Sequence, residues 1–91
     1  MNDQRILVPN PRIAARVVAG QALILDPTVD ELKRLNVVGT FIWSKISERK
    51  HSQSSIRTAL VEEFEVTHER AGDDLKAFIQ KMEALNLIAH E

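Results

Sequence analysis

Histidines, adjacent carboxylates and a serine-rich stretch are the residues of this chain whose types could do chemistry, and their spacing argues against it. His51, His68 and His90 are widely separated. The run His68-Glu69-Arg70-Ala71-Gly72 begins like a helical zinc-protease pattern, but Gly72 stands where the second histidine is required. A zinc site needs three or four such ligands on one centre, so the histidines read as surface residues. Glu62-Glu63 and Asp73-Asp74 are adjacent pairs, and neighbours on a helix do not converge on one point. Ser52, Ser54 and Ser55 sit near His51 without the G-x-S-x-G turn that exposes a nucleophile, and helix capping accounts for Ser52 better. Gly20, Gly39 and Gly72 are too far apart to form a phosphate loop. Cysteine is absent, which removes thiolate nucleophiles, thiolate ligands and disulfides. No catalytic residue, metal site or cofactor is expected, and the chain reads as a non-enzyme.

The elements that would position any other function follow from length and pattern. Ninety-one residues make one domain, with 44% apolar and 27% charged residues as in ordinary globular proteins. The apolar runs are far shorter than the roughly 20 residues that cross a bilayer, and the first residues lack the apolar segment of a secretory signal. A cytoplasmic protein without membrane contact is expected. Residues 1–10 read as an extended N-terminal arm, because Pro9 and Pro11 disfavour helix. Residues 11–91 form the single domain.

Two β-prone runs, Ile13 to Val18 and Gln21 to Leu25, flank Ala19-Gly20 and predict an antiparallel hairpin. Asp26-Pro27-Thr28 predicts a turn. Val29 to Leu35 is ambiguous: Val29, Leu32 and Leu35 have helical spacing, while the charges suit an edge strand. A short third strand is favoured, since Asn36 then caps the next element. Three helices follow. Val38, Phe41, Ile42 and Ile46 line the first, from Val37 to about Ser47. The second is capped by Ser52 and carries Ile56, Leu60 and Phe64. The third runs from about Thr67 to Leu85 on Ala71, Leu75, Phe78, Ile79, Met82 and Leu85, and Asn86 is a left-handed stop. The predicted fold class is α+β and winged helix-turn-helix-like, a three-stranded antiparallel sheet followed by three helices.

Charge separates two binding functions. Residues 35–60 carry four Lys/Arg against one Glu, whereas residues 61–91 carry three against eight Asp/Glu. Lys45, Arg49, Lys50, His51 and Arg57 would favour a winged-helix DNA-binding protein, the alternative reading. However, the third helix holds the recognition position in such a protein, and here it bears Glu69, Asp73, Asp74 and Glu83 against Arg70, Lys76 and Lys81. An acidic recognition helix repels phosphates, which argues against a nucleic-acid partner. The other function is peptide binding. If the third strand is an open edge, an extended peptide can add to it, with side chains against the broad apolar arc of the third helix. Such an edge also admits a homodimer by self-pairing.

The succession Arg16, Gly20, Leu23-Ile24-Leu25, Leu35-Asn36, Gly39, Ile42-Trp43, Phe64-Glu65-Val66 and Asp74-Leu75-x-x-Phe78-Ile79-x-x-Met82-x-x-Leu85-x-Leu87-Ile88 resembles the PqqD family, also called the RiPP precursor peptide recognition element. The likeness covers about residues 11–88. It implies a peptide chaperone that binds the leader of a ribosomally synthesised precursor peptide by β-strand addition. The chaperone then presents the peptide to a modifying enzyme, commonly radical SAM, in peptide natural product or PQQ biosynthesis. By position, the peptide-binding residues implied are Asp30, Glu31, Leu32, Lys33, Arg34 and Leu35 on the strand, with Ala71, Asp74, Leu75, Phe78, Ile79 and Met82 on the helix. Lys33 and Arg34 would select acidic leader residues; Leu32, Phe78 and Met82 would contact apolar ones. Two departures, Asp30 where the family often has glycine and Glu48-Arg49-Lys50 where it often has aspartate-glycine, point to a different peptide from the PQQ precursor.

Overall fold

The computed structural model describes residues 4–26 and 31–91. The element order is β1 (Leu7–Pro9), β2 (Ala14–Val18), β3 (Gln21–Asp26), β4 (Glu31–Arg34), α1 (Val37–Ser47), α2 (Gln53–Phe64), α3 (His68–Ala84) and β5 (Ile88–His90). Strands β2, β3 and β4 form a three-stranded antiparallel meander with β3 in the centre, and the three helices complete the expected α+β architecture. The ambiguous segment before Asn36 is a strand over its described part. Asp30 and the Pro27-Thr28 part of the expected turn lie outside the described residues.

The β2–β3 hairpin closes through Ala19 and Gly20, both at positive φ (53° and 78°), the backbone that a two-residue turn with right-handed strand twist demands. Alternation along β3 buries Ala22 and Ile24 completely and leaves Leu25 at 42% exposure. The helices therefore cover one face of the sheet only. At the far end of β3 the Ala22 carbonyl accepts from Leu35 N–H at 2.9 Å. The Ala22 N–H donates to Thr40 Oγ1, also at 2.9 Å. A threonine in the first turn of α1 thus completes the pairing where β4 ends, and ties that helix to the sheet.

Each helix starts on a side-chain cap that satisfies a backbone N–H with no partner inside the helix. Asn36 Oδ1 accepts from Gly39 N–H at 2.7 Å, Ser52 Oγ from Ser55 N–H at 3.1 Å, and Thr67 Oγ1 from Arg70 N–H at 3.0 Å. Asn86, at φ 60°, ends the run after α3 as a left-handed residue. Gly72 lies inside α3 because Arg57 of α2 crosses over it: a Cβ there would stand 2.5 Å from Arg57 Cζ. Arg57 Nε donates to the His68 carbonyl at 2.9 Å, which joins the two helices.

The N-terminal segment is extended, and it is also part of the core. Strand β1 pairs with β5 in a second, two-stranded antiparallel sheet. Leu7 is fully buried and Val8 nearly so, alongside Ile24, Ile42, Ile46, Ile56, Leu60, Leu75, Met82 and Leu87. Leu7 N–H donates to the His51 carbonyl at 3.0 Å, and Glu91 N–H donates to the Ile6 carbonyl at 2.7 Å. The two ends of the described chain are thereby fastened to each other and to the start of α2.

Candidate functional site

Cross-strand register decides what β4 offers. Lys33 pairs with Ile24, and Leu35 N–H bonds back to Ala22, so Glu31, Lys33 and Leu35 turn their main-chain groups toward β3. Leu32 and Arg34 then point their N–H and C=O groups away from the sheet. Among the described residues no further strand pairs with β4. Two residues' worth of backbone donors and acceptors are therefore free to bond an added strand.

The side chains of β4 divide by the same register, because directly opposed residues share a face. Lys33 lies on the face of buried Ile24, toward the helices. Leu32 and Arg34 lie on the outer face with Leu25 and Leu23. Leu32 is 59% exposed, and Arg34 is exposed. Leu23 sits between Arg16 and Arg34 on that face. Arg34, expected to meet acidic residues, thus has its side chain on the outer face, and Lys33 has its own on the inner face.

Where β4 hands over to α1, the chain meets α3. Gly39 leaves a gap that its neighbours close: a Cβ there would be 3.1 Å from Asn36 Oδ1, 3.4 Å from Leu35 Cβ and 3.5 Å from Phe78 Cε2. Beside this contact lies a cleft of about 340 Å³ walled by Val38 and Ile42 of α1 and by Arg70, Asp74, Ala77 and Phe78 of α3. Asp74 Oδ2 accepts from Arg70 Nε at 3.5 Å across one helical turn. The lining combines the apolar Val38, Ile42, Ala77 and Phe78 with the Arg70–Asp74 pair.

The helix residues implied by the resemblance fall at different depths. Asp74 and Phe78 are half-buried and line this cleft. Ala71, Leu75 and Met82 are at most 1% exposed and belong to the core, and none of them lines this cleft. Ile79 is 5% exposed and faces a different cleft, of about 520 Å³, between α2 and α3. That larger cleft mixes Arg57 and Lys76 with Asp73 and Glu83, so it presents no field of one sign. Leu35 is half-buried and packs against the core. Sequence reasoning did not single out Asn36, Val38, Gly39, Ile42, Arg70 and Ala77 as site residues, although they line the same cleft as Phe78. Periodicity marks a helix face, but it does not show where two helices diverge.

Several side chains of the basic segment that favoured nucleic acid lie beside carboxylates. Lys45 and Lys50 each lie 3.9 Å from Glu48, and His51 Nε2 is 2.8 Å from the same carboxylate. Arg49 reaches Glu91 at 3.8 Å. The hydrogen bond from His51, reinforced by the charges of Lys45, His51 and Lys50 against a partial opposing effect of desolvation, holds the Glu48 carboxyl below its ordinary value. His90 Nδ1 is 3.0 Å from Glu83 Oε2. Among the described residues no three His, Asp or Glu side chains gather as a metal set, and no helix is long and apolar enough to cross a membrane.

Comparison with known proteins adds to this geometry. A family model described as coenzyme PQQ synthesis protein D (PqqD) matches residues 21–88. No curated protein matches the chain. Two solved structures share its fold. The first, TbiB1 in complex with the TbiA(beta) leader peptide, has 20% identity and a TM-score of 0.81, covering 89% of this chain and 93% of its own. The second, lasso peptide synthetase B1 complexed with the leader peptide, has the same identity and TM-score over 92% of this chain and 98% of its own.

Proposed function

The chain belongs to the PqqD family, and from that premise we propose that it binds the leader segment of a ribosomally synthesised precursor peptide as an added strand on β4. The observation that carries this reading is the open β4 edge beside the Phe78 cleft. Leu32 and Arg34 supply main-chain hydrogen bonds. Leader side chains on the inner face drop toward Lys33, Asp74 and Phe78, while those on the outer face lie beside Leu32 and Arg34. The occupants of the two similar folds, each solved with a leader peptide, support the same use of the fold here.

The protein would contribute binding and orientation and leave the chemistry to a modifying enzyme, of the radical SAM type in the fullest form of the proposal. The product is then a peptide natural product or a PQQ-type cofactor, and the setting is the cytoplasm, where the precursor is translated. Adding the leader to a preformed edge costs little reorganisation of the protein, which suits a presenter that must later release its peptide.

The test is a titration of the isotope-labelled chain with the leader of a precursor peptide encoded beside it. The expected result is saturable movement of the Leu32 and Arg34 amides together with those of Asp74, Ala77 and Phe78. Phe78→Ala should weaken binding by about tenfold or more, as expected for an aromatic anchor in a pocket. A leader that leaves both the strand and helix amides unmoved at high micromolar concentration would overturn the reading.

A further inference from the structure

Among the described residues no strand pairs with the outer side of β2, so the same sheet has a second open edge. All five residues of β2 are exposed, with Val17 at 58% and Val18 at 49%. Natural edge strands usually carry lysine, proline or a bulge against chance pairing. In β2 the sequence is Ala-Ala-Arg-Val-Val, and Arg16 is its single charge. The two-residue turn makes Val18–Gln21 a hydrogen-bonded pair, and alternation makes Arg16–Leu23 and Ala14–Leu25 hydrogen-bonded as well. The N–H and C=O groups of Ala15 and Val17 therefore point to the open side. Their side chains share the inner face and overlook a cleft of about 360 Å³ walled by Pro9, Pro11, Ile13 and Trp43. Among the described residues, no acidic side chain lines that cleft.

We propose that β2 is a second strand-addition edge, whose occupant is an extended segment of a partner protein with an acidic residue opposite Arg16 and apolar residues on either side of it. The apolar pair would fall beside Ala15 and Val17 and into the Trp43 cleft. The carboxylate would meet Arg16 on the outer face.

A second copy of this chain does not fit that edge. Two-fold antiparallel pairing of the whole strand is centred on Arg16, so the two copies' guanidinium groups would oppose each other. That position is the non-hydrogen-bonded one, where side chains approach most closely, and like charges there destabilise pairing. A carboxylate turns the same closeness into attraction. Because β2 and β4 are opposite edges of one sheet, both can be occupied at once. Identifying this partner with the modifying enzyme rests on the leader-binding reading; the edge itself does not.

The test uses two probe peptides on the full chain, Ser-Thr-Val-Glu-Val-Thr-Ser and the same peptide with lysine at its centre, followed by amide chemical shifts. The glutamate peptide should move Ala15 and Val17 and bind roughly fivefold or more tighter than the lysine peptide. Arg16→Glu should reverse that order. Val17→Pro removes an N–H that β3 does not use, so it should abolish binding while leaving the fold and leader binding at β4 intact. Indifference to the central charge, or shifts confined to Leu32–Arg34, would overturn the proposal. So would a dimer in sedimentation that Val17→Pro dissolves, which would give the edge to a second copy. Leader binding is read separately, so its failure and the failure of this edge are distinguishable.

Discussion

Glu48 illustrates how one exposed carboxylate organises a stretch that composition alone makes look like a phosphate-binding patch. It draws Lys45, Lys50 and His51 onto itself at the end of α1, where the chain passes through Arg49 at φ 59° to begin α2. Its carboxyl is held below the ordinary value, chiefly by the His51 hydrogen bond, so the folded state prefers the ionised form. The sign follows from linkage: its contribution is fully present above the ordinary carboxylate pKa and is lost as pH falls through the lowered folded value. Glu48→Gln should lower the melting temperature at neutral pH, and the difference from the parent protein should shrink between about pH 5 and about pH 3. Parallel melting curves offset by a constant amount across that range would show that ionisation of Glu48 is not what stabilises the turn.

At the scale of elements, the α2–α3 pair rests on a trade between helix propensity and packing. Gly72→Ala should gain about 1 kcal/mol of helix propensity. It also displaces the Arg57 guanidinium and its bond to the His68 carbonyl, a loss of about 0.5–1.5 kcal/mol. In the parent protein the substitution should therefore be close to neutral, whereas in an Arg57→Ala background it should stabilise by about 1 kcal/mol. Urea unfolding of the four proteins of that cycle measures the coupling, and strict additivity would mean that Gly72 is not there to admit Arg57. This level of structure was also the most legible in the sequence. The caps at Asn36, Ser52 and Thr67, the Ala19-Gly20 turn and the stop at Asn86 are local devices, and each follows from a few neighbouring residues. The faces of β4 were not legible. Whether Leu32 looks outward or toward α3 depends on its pairing with Leu25, a register fixed by tertiary contact. A one-residue slip would exchange the roles of Lys33 and Arg34. Depth along α3 was hidden for a related reason. The 3.6-residue stripe contains both Phe78 and Leu75, and only the placement of the neighbouring helices decides that Phe78 lines the cleft beside α1 while Leu75 is fully buried.

At the scale of the whole molecule, the feature least visible in the sequence is the clamp between the two ends. Strands β1 and β5 have three residues each, too few for any periodicity to show, and their pairing joins segments about eighty residues apart. Pro9 and Pro11 suggest an arm; the burial of Leu7 makes that segment a wall of the core. The consequence is quantitative. A domain of this length has roughly 5–14 kcal/mol of total stability, and truncating a fully buried leucine to alanine costs about 2–5 kcal/mol. Leu7→Ala should therefore lower the urea midpoint substantially at unchanged slope, whereas a substitution in a loosely attached arm would stay within about 0.5 kcal/mol. Leader affinity measured well below the unfolding transition should change little, because β1 packs with β5 and α1 while the β4 edge lies on the other sheet. A variant that kept full stability would detach β1 from the core. One that lost leader affinity while remaining folded would mean that the clamp and the β4 edge are coupled through α1, the helix that touches both sheets.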